Sequence, residues 1–205
     1  IVMDKIKLNI ISNRKLCANG NLEKQIEKIF SAYEKKIILK NFEITALTIR
    51  EKDLDKNKYL NLVKKIYPIC QKYKINLILH QNYDLNLYGK YNIEGIHLSY
   101  NVFKSLEENI KTGLIKKYKK IGVSIHSLEE AKEVESLGAN YVVAGHIFKT
   151  DCKKGLKPRG LKFVENLSSV LNIPIFAIGG IDERNSQSVI NSGAFGLCMM
   201  SSLMK

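Results

Sequence analysis

Short apolar runs rich in β-branched residues alternate with longer lysine- and glutamate-rich stretches along the whole chain. The runs are about four to eight residues long and lack a regular apolar–polar alternation, which is typical of strands buried on both faces of a parallel sheet. The pattern predicts eight strands, at residues 6–11, 42–49, 76–80, 95–98, 120–124, 141–144, 174–178 and 195–200.

The stretches between these runs carry the spacing of amphipathic helices. Apolar residues recur every three or four positions within 22–30, and again at Leu60, Val63, Ile66 and Cys70. Ser127 stands three residues before Glu130, which is the spacing of a capping box and predicts the start of a helix. Gly138 follows at the C′ position, where a glycine commonly ends a helix, and so predicts the end of this helix.

Strands that alternate with helices indicate either a (β/α)8 TIM barrel or a doubly wound open sheet. The first strand is not followed by the GxGxxG run of dinucleotide-binding sheets, so the barrel is favoured. At 205 residues the barrel is near-minimal. Few residues follow the eighth predicted strand, so the last helix is expected to be short or absent. Residues 1–205 are interpreted as one barrel domain.

Charge and composition narrow the function classes. The chain has a net charge of +13 but arginine at four positions only, and its lysines are spread along helical segments. Specific nucleic-acid binding relies on arginines and stacking aromatics, so no nucleic-acid partner is expected. No apolar run is long enough to span a bilayer and no signal peptide is evident, so we expect a cytoplasmic protein without a membrane partner. The four cysteines are far apart, which favours free thiols over a disulfide or zinc framework.

Polar and basic residues follow several predicted strands, at the end where barrels place their active sites. Gly179 and Gly180 follow the seventh strand, and Ser201 follows the eighth, which is where barrels often bind phosphate through backbone N–H groups. Arg50, Lys52 and Lys153 would add positive charge for a phosphate or a carboxylate.

The histidines are the candidates for proton transfer. His97 lies inside an apolar strand and is interpreted as a barrel-interior residue, whereas His80 and His146 end strands and could line a pocket. His126 ends the fifth strand just before the predicted helix, where the helix N-terminus favours a neutral imidazole that can accept a proton.

Three motifs at these strand ends resemble those of the thiamin-phosphate synthase / thiazole tautomerase superfamily. They are the run Thr-Ile-Arg-Glu-Lys-Asp-Leu at 48–54, the run Gly-Val-Ser-Ile-His-Ser-Leu-Glu-Glu-Ala at 122–131, and the run Pro-Ile-Phe-Ala-Ile-Gly-Gly-Ile at 174–181. The resemblance covers essentially the whole chain. It implies a (β/α)8 barrel that binds thiazole phosphate.

Departures from the synthase pattern indicate whether this sequence is more similar to the synthases or to the tautomerases of the superfamily. Synthases hold Mg²⁺ with acidic residues after the third and fourth strands, and the matching positions here are Gln81 and Val102. Since Mg²⁺ prefers carboxylate and water oxygens, no metal site is expected. The run from Gly145 to Leu156, Gly-His-Ile-Phe-Lys-Thr-Asp-Cys-Lys-Lys-Gly-Leu, closely resembles a segment of the thiazole tautomerases.

The resemblance therefore implies a thiazole tautomerase (TenI-type), an isomerase that aromatises a carboxythiazole phosphate by proton transfer and needs no cofactor. It assigns the catalytic role to His126, and substrate binding to Arg50, Lys52, Ser124, Thr150, Lys153, Gly180, Met200 and Ser201. The alternatives are thiamin-phosphate synthase, a transferase, and a non-catalytic regulatory protein that binds thiazole phosphate. Whether copies of the chain assemble into a homo-oligomer is left open.

Overall fold

Eight parallel strands close into a barrel in a computed structural model that describes residues 4–82, 87, 90–153 and 155–205. The strands pair in sequence order, and β1 pairs with β8 to complete the ring. Their bounds are β1 Ile6–Ile11, β2 Phe42–Ile49, β3 Asn76–His80, β4 Ile93–Ser99, β5 Lys120–Ile125, β6 Tyr141–Gly145, β7 Ile175–Ile178 and β8 Gly196–Met199. This architecture confirms the predicted (β/α)8 barrel.

Helices surround the barrel, with two of them between β4 and β5 and none in the described residues between β3 and β4. Their bounds are α1 Leu22–Glu34, α2 Lys56–Lys72, α3 Tyr100–Ser105, α4 Glu108–Lys117, α5 Leu128–Ser136, α6 Gly160–Ser168, α7 Ser186–Asn191 and α8 Ser201–Met204. Short 3-10 turns lie at Arg14–Leu16, Ala18–Gly20 and Asp151–Lys153. None of the helices in the described residues is both long and apolar enough to cross a membrane.

The ends of α5 follow the sequence rules that predict them. Ser127 caps the first turn through its hydroxyl, which accepts a hydrogen bond from the N–H of Glu130 at 3.1 Å. Gly138 has a φ of +92°, and its N–H donates to Glu135 while that of Ala139 donates to Val134. These two bonds form a Schellman motif, in which a left-handed glycine satisfies the last carbonyls of the helix.

Two apolar layers hold the fold together. The larger lies between the strands and the helices and contains the apolar positions of α1 and α2 that face the barrel; Leu60, predicted among them, is only partly buried. The smaller layer fills the barrel itself, around Tyr141, Val143 and Phe176. Gly122 makes room for the ring of Tyr141, because a Cβ at residue 122 would lie 2.0 Å from the ring carbon Cζ.

The short helix α8 covers the seam between β8 and β1. Gln25 of α1 donates a hydrogen bond from Nε2 to the carbonyl of Leu203 at 2.6 Å, and Met204 is fully buried with its sulfur 4.0 Å from that of Cys17. The predicted short last helix is therefore present as a single turn that packs on α1 and on the turn after β1.

Candidate active site

The nine residues that the sequence analysis assigns to binding or catalysis all line one cavity. It has a volume of about 480 Å³ and opens at the carboxyl ends of the strands. The nine are Arg50, Lys52, Ser124, His126, Thr150, Lys153, Gly180, Met200 and Ser201. The prediction that these strand ends converge is confirmed, whereas the role of each residue stays a prediction.

Positive charge dominates the cavity wall. Arg50, Lys52 and Lys153 line it, and no aspartate or glutamate does so among the described residues. Burial lowers the pKa of the Lys52 ammonium, and the charges of Arg50 and Lys153 lower it further. An anionic ligand would relieve this repulsion, so the cavity is suited to phosphate and carboxylate groups.

Two buried residues form a hydrogen-bonded network with Ser124 on the cavity floor. His97 Nε2 lies 2.7 Å from the hydroxyl of Ser124, and its Nδ1 lies 3.3 Å from the hydroxyl of Tyr141. Burial lowers the pKa of His97 to about 3, with smaller contributions from Arg50 and Lys52. The imidazole is therefore neutral near pH 7, and it orients the Ser124 hydroxyl without carrying charge.

His80 extends this floor by stacking on His97, with 5.8 Å between the ring centroids. Burial is the largest cause that lowers its pKa, to about 2, and His97 adds to the effect. The backbone around it is fixed from behind, since Tyr59 of α2 accepts a hydrogen bond from the N–H of His80 and donates one to the carbonyl of Ile49. His80 is a neutral wall residue, as its place at the end of β3 predicts.

His126 differs from the floor histidines because it stands at the rim of the cavity. Its backbone N–H donates to Glu130 Oε2 at 2.6 Å, and its Nδ1 lies 3.5 Å from the same oxygen. Burial lowers the pKa of His126, Lys153 and Arg159 lower it further, and Glu130 opposes them. The predicted direction of the shift is thus found, although its main cause is burial. A neutral imidazole at this position can accept a proton.

A carboxylate cluster behind the wall joins the loops that follow β1 and β2. Glu51, 3% exposed, accepts hydrogen bonds from the Ser12 hydroxyl at 2.7 Å and from the N–H of Arg14 at 2.9 Å. Ser12 in turn accepts one from the N–H of Arg50. Arg14 also forms a bidentate pair with Asp53, at 2.7 and 2.8 Å. The acidic residues of the 48–54 run therefore support the position of Arg50.

The loop between β6 and α6 is held against β7. The N–H groups of Ile147 and Phe148 donate to the carbonyls of Ile178 and Gly179, both at 2.9 Å. His146 Nε2 lies 3.3 Å from the carbonyl of Leu156, which fixes the ring within this loop. The loop thereby brings Thr150 and Lys153 to the cavity; Lys154 lies outside the described residues.

Gly180 is a glycine for two reasons that act together. Its φ is +65°, a conformation that L side chains rarely adopt, and a Cβ there would lie 2.5 Å from the carbonyl oxygen of Lys149. From the sequence, this glycine is expected to let the backbone approach a phosphate. The structure adds that it lets the β7 end pack against the β6–α6 loop, so a bulky substitution would disturb that loop as well.

Comparisons with known proteins agree on the family. A family model described as thiamine monophosphate synthase (TMP-TENI) matches residues 8–203. The chain is 31% identical over 204 residues to putative thiamine-phosphate synthase 2 of Aquifex aeolicus, covering 99% of this chain and 100% of that protein. It is 30% identical over 198 residues to thiamine-phosphate synthase of Clostridium acetobutylicum, covering 97% of this chain and 87% of that protein. The chain belongs to the thiamine monophosphate synthase family.

Solved structures agree with the fold of this family. Thiamine phosphate pyrophosphorylase from Pyrococcus furiosus superposes with a TM-score of 0.76 at 23% identity, covering 98% of this chain and 88% of that one. The N-acetylmannosamine-6-phosphate 2-epimerase from Clostridium perfringens superposes with a TM-score of 0.65 at 15% identity, covering 97% of this chain and 87% of that one. The superfamily indicated by the motifs is confirmed, and the tautomerase branch stays a prediction.

The two positions at which the resemblance places magnesium-binding acids, Gln81 and Val102, carry uncharged side chains. At the position after β3, Gln81 donates from Nε2 to the Ser99 hydroxyl at 3.0 Å. Val102 lies in α3 and is not part of the cavity wall. Tyr100 of the same run donates its hydroxyl to Glu133 of α5. The described residues contain no cluster of three or more histidines, cysteines or acids that could hold a metal ion.

Sequence reasoning missed two acidic residues and one tyrosine of this site. Glu51 and Glu130 belong to the motifs at 48–54 and 122–131, but the sequence alone predicts no role for either of them at the cavity. The four-residue spacing between His126 and Glu130 is a signal that could have found the second, since residues four apart on a helix are neighbours. Tyr141 reaches His97 across the barrel, and no local pattern reveals that contact.

Proposed function

We propose that this protein is a thiazole tautomerase, which converts a non-aromatic carboxythiazole phosphate tautomer into its aromatic isomer. The observation that carries the proposal is the composition of the cavity wall. His126 stands at the rim of a wall with three cations and, among the described residues, no carboxylate. Such a wall suits an anionic substrate and a proton acceptor, which is what this isomerisation needs.

The reaction moves one proton and no net electrons. His126 accepts the proton from ring carbon C2, the exocyclic double bond shifts into the ring, and a proton is delivered to the exocyclic carbon. The product is an isomer of the substrate, and aromaticity provides the driving force. General acid–base catalysis by one positioned group contributes about 10²–10⁴-fold.

Phosphate anchoring is assigned to the ends of β7 and β8, through backbone N–H groups at Gly180, Met200 and Ser201. Arg50, Lys52 and Lys153 supply charge for the phosphate and the carboxylate, and Ser124 and Thr150 supply hydroxyl groups. Because a side chain at residue 180 would clash with the loop, phosphate titration followed by NMR is the cleaner test. The amide resonances of Gly180 and Ser201 should shift on addition of inorganic phosphate.

Thiamin-phosphate synthase is the second candidate, and the names of the relatives favour it. Both relatives described above are named as thiamine-phosphate synthases, at 30–31% identity. Against it stand Gln81 and Val102 at the two positions that should be acidic. Robust Mg²⁺-dependent coupling of a pyrimidine diphosphate to thiazole phosphate by the pure protein would establish this alternative instead.

The deciding experiment supplies the thiazole tautomer and follows aromatic product by absorbance or NMR, with and without the protein. A tautomerase accelerates product formation equally with added Mg²⁺ and with excess EDTA. Binding of the aromatic product without any acceleration would show a ligand-binding regulator and would contradict the proposal.

A further inference from the structure

We propose that Glu130 is a positioning residue for the proton transfer, which holds the His126 imidazole and stabilises its protonated form. This inference rests on the proposed function, in which His126 exchanges the proton. It assigns a second task to a carboxylate whose evident task is to accept the backbone N–H of His126, just before helix α5.

The geometry brings one carboxylate oxygen to two nitrogens of the same residue. Oε2 of Glu130 accepts from the backbone N–H of His126 at 2.6 Å and lies 3.5 Å from Nδ1 of its ring. Glu130 is itself held, since its N–H donates to the Ser127 hydroxyl at 3.1 Å. The helix cap therefore fixes the carboxylate, and the carboxylate faces one edge of the imidazole.

A carboxylate that faces Nδ1 favours one of the two neutral tautomers of the ring. A neutral histidine has one N–H donor and one acceptor, and an acceptor-only partner favours the tautomer with hydrogen on Nδ1. Nε2 then keeps its lone pair and can receive the substrate proton. The same carboxylate stabilises the imidazolium that forms after the transfer, as the orienting acid of a catalytic triad does.

The charges around His126 show why the carboxylate of Glu130 matters for the protonated form of the ring. In the described part of the chain, the charged groups that act on the imidazole are Lys153 and Arg159, in the loop that leads to α6, and Glu130 on α5. The two cations disfavour the imidazolium and Glu130 favours it. Without Glu130, the imidazole would face two positive charges and no negative one, so its pKa would fall and its strength as a base would decrease.

The test compares Glu130→Gln with Glu129→Gln. Glutamine keeps an oxygen that can accept from the N–H of His126, so this hydrogen bond survives while the charge is lost. Glu129 is exposed in the same helical turn and its carboxylate is hydrogen-bonded to Ser127, whereas the charges that act on the imidazole are those of other residues. Removing its charge therefore alters the helix terminus and leaves the contact with the ring intact. Each variant is titrated by NMR at the His126 ring protons, and kcat for the tautomer is measured against pH.

We expect Glu130→Gln to move the midpoint of the His126 titration to lower pH and to move the acid limb of the kcat profile in the same direction. The plateau of kcat should fall roughly tenfold, which is part of the range of general acid–base catalysis. Glu129→Gln should leave both profiles close to wild type. A purely structural role would lower kcat at every pH without moving either midpoint.

The proposal is overturned if the His126 midpoint stays or rises in Glu130→Gln, or if Glu129→Gln shifts it equally. Should Glu130→Gln fail to fold by circular dichroism, Glu130→Asp replaces it, since the shorter carboxylate moves away from Nδ1 and should shift the midpoint in the same direction. The titration needs no substrate. If wild-type protein fails to convert the tautomer while the titration behaves as expected, the proposed function fails and the contact between Glu130 and His126 stands.

Discussion

His97 lies within β4 and His126 directly follows the neighbouring strand β5; both line the same cavity, but they behave differently. His97 is 5% exposed and bonded to two neutral hydroxyls, whereas the side chain of His126 is 42% exposed and faces a carboxylate. Burial without a charged partner removes the first from titration near neutral pH. His126 is partly exposed and has Glu130 as a charged partner, so its ring remains accessible for proton exchange. The comparison indicates that one residue type serves as scaffold on the floor and remains accessible at the rim, where the proposed function places the proton acceptor.

The largest expected effect comes from replacing the rim histidine. His126→Asn keeps much of the size and polarity but cannot exchange a proton near neutral pH, so turnover of the tautomer should fall by about 10²-fold or more. Affinity for the aromatic product, measured by calorimetry, should change little because the proposed phosphate contacts lie at the ends of β7 and β8. Near-normal turnover would reassign the role, and His146→Asn would then be the next variant to assay.

The floor histidines should instead control how stability depends on pH. Their pKa values are lower in the folded chain than the ordinary 6.5, so the unfolded chain binds protons that the folded chain does not. The free energy of unfolding should therefore fall as the pH drops below about 6.5, by about 1.4 kcal/mol per pH unit for each such histidine.

His97→Gln should remove one of these contributions and flatten the dependence. Urea unfolding between pH 7 and 5.5 measures it, above the range in which most carboxylates titrate. If the curves of wild type and variant run parallel through this interval, the floor histidine titrates normally in the folded chain and the contrast with the rim disappears.

A change in stability at fixed pH is expected from removing the hydroxyl that supports the floor. Tyr141→Phe leaves the ring packed over Gly122 but removes the partner of His97 Nδ1, and an unsatisfied buried group costs about 1–3 kcal/mol. Tyr33→Phe is the control, because the Tyr33 hydroxyl donates to the Phe42 carbonyl and accepts from the N–H of Ile44 at a partly exposed residue, outside the barrel interior. Equal losses of unfolding free energy in the two variants would contradict a buried network.

The barrel and its strand ends could be predicted because they follow from local patterns. Apolar runs give strands, glycines and serines mark the helix ends, and the carboxyl ends of parallel strands must meet at one edge. The bounds of β1, β2 and β3 match the sequence prediction, whereas β4 begins two residues earlier, at Ile93. That early start lies where the pairing of β3 with β4 shifts register, which the sequence does not encode locally.

The contacts that tune the site could not be predicted in the same way. The distances from His97 to Ser124 and Tyr141 depend on how three strands stagger around the barrel. The clash that requires a glycine at residue 180 depends on a loop more than thirty positions earlier in the sequence. These features arise from packing between distant segments, and residue types alone do not specify them.

The seam between β8 and β1 links the two ends of this fold in thermodynamic terms. Met200 and Ser201 line the cavity, Asn13 after β1 donates a weak hydrogen bond to the sulfur of Met200, and the next turn of chain is tied to Gln25. A ligand that binds Met200 and Ser201 in this arrangement stabilises the docking of α8 on α1, and docking raises the affinity for the ligand by the same free energy. Replacing Gln25 should therefore weaken binding in the cavity, although Gln25 does not line it.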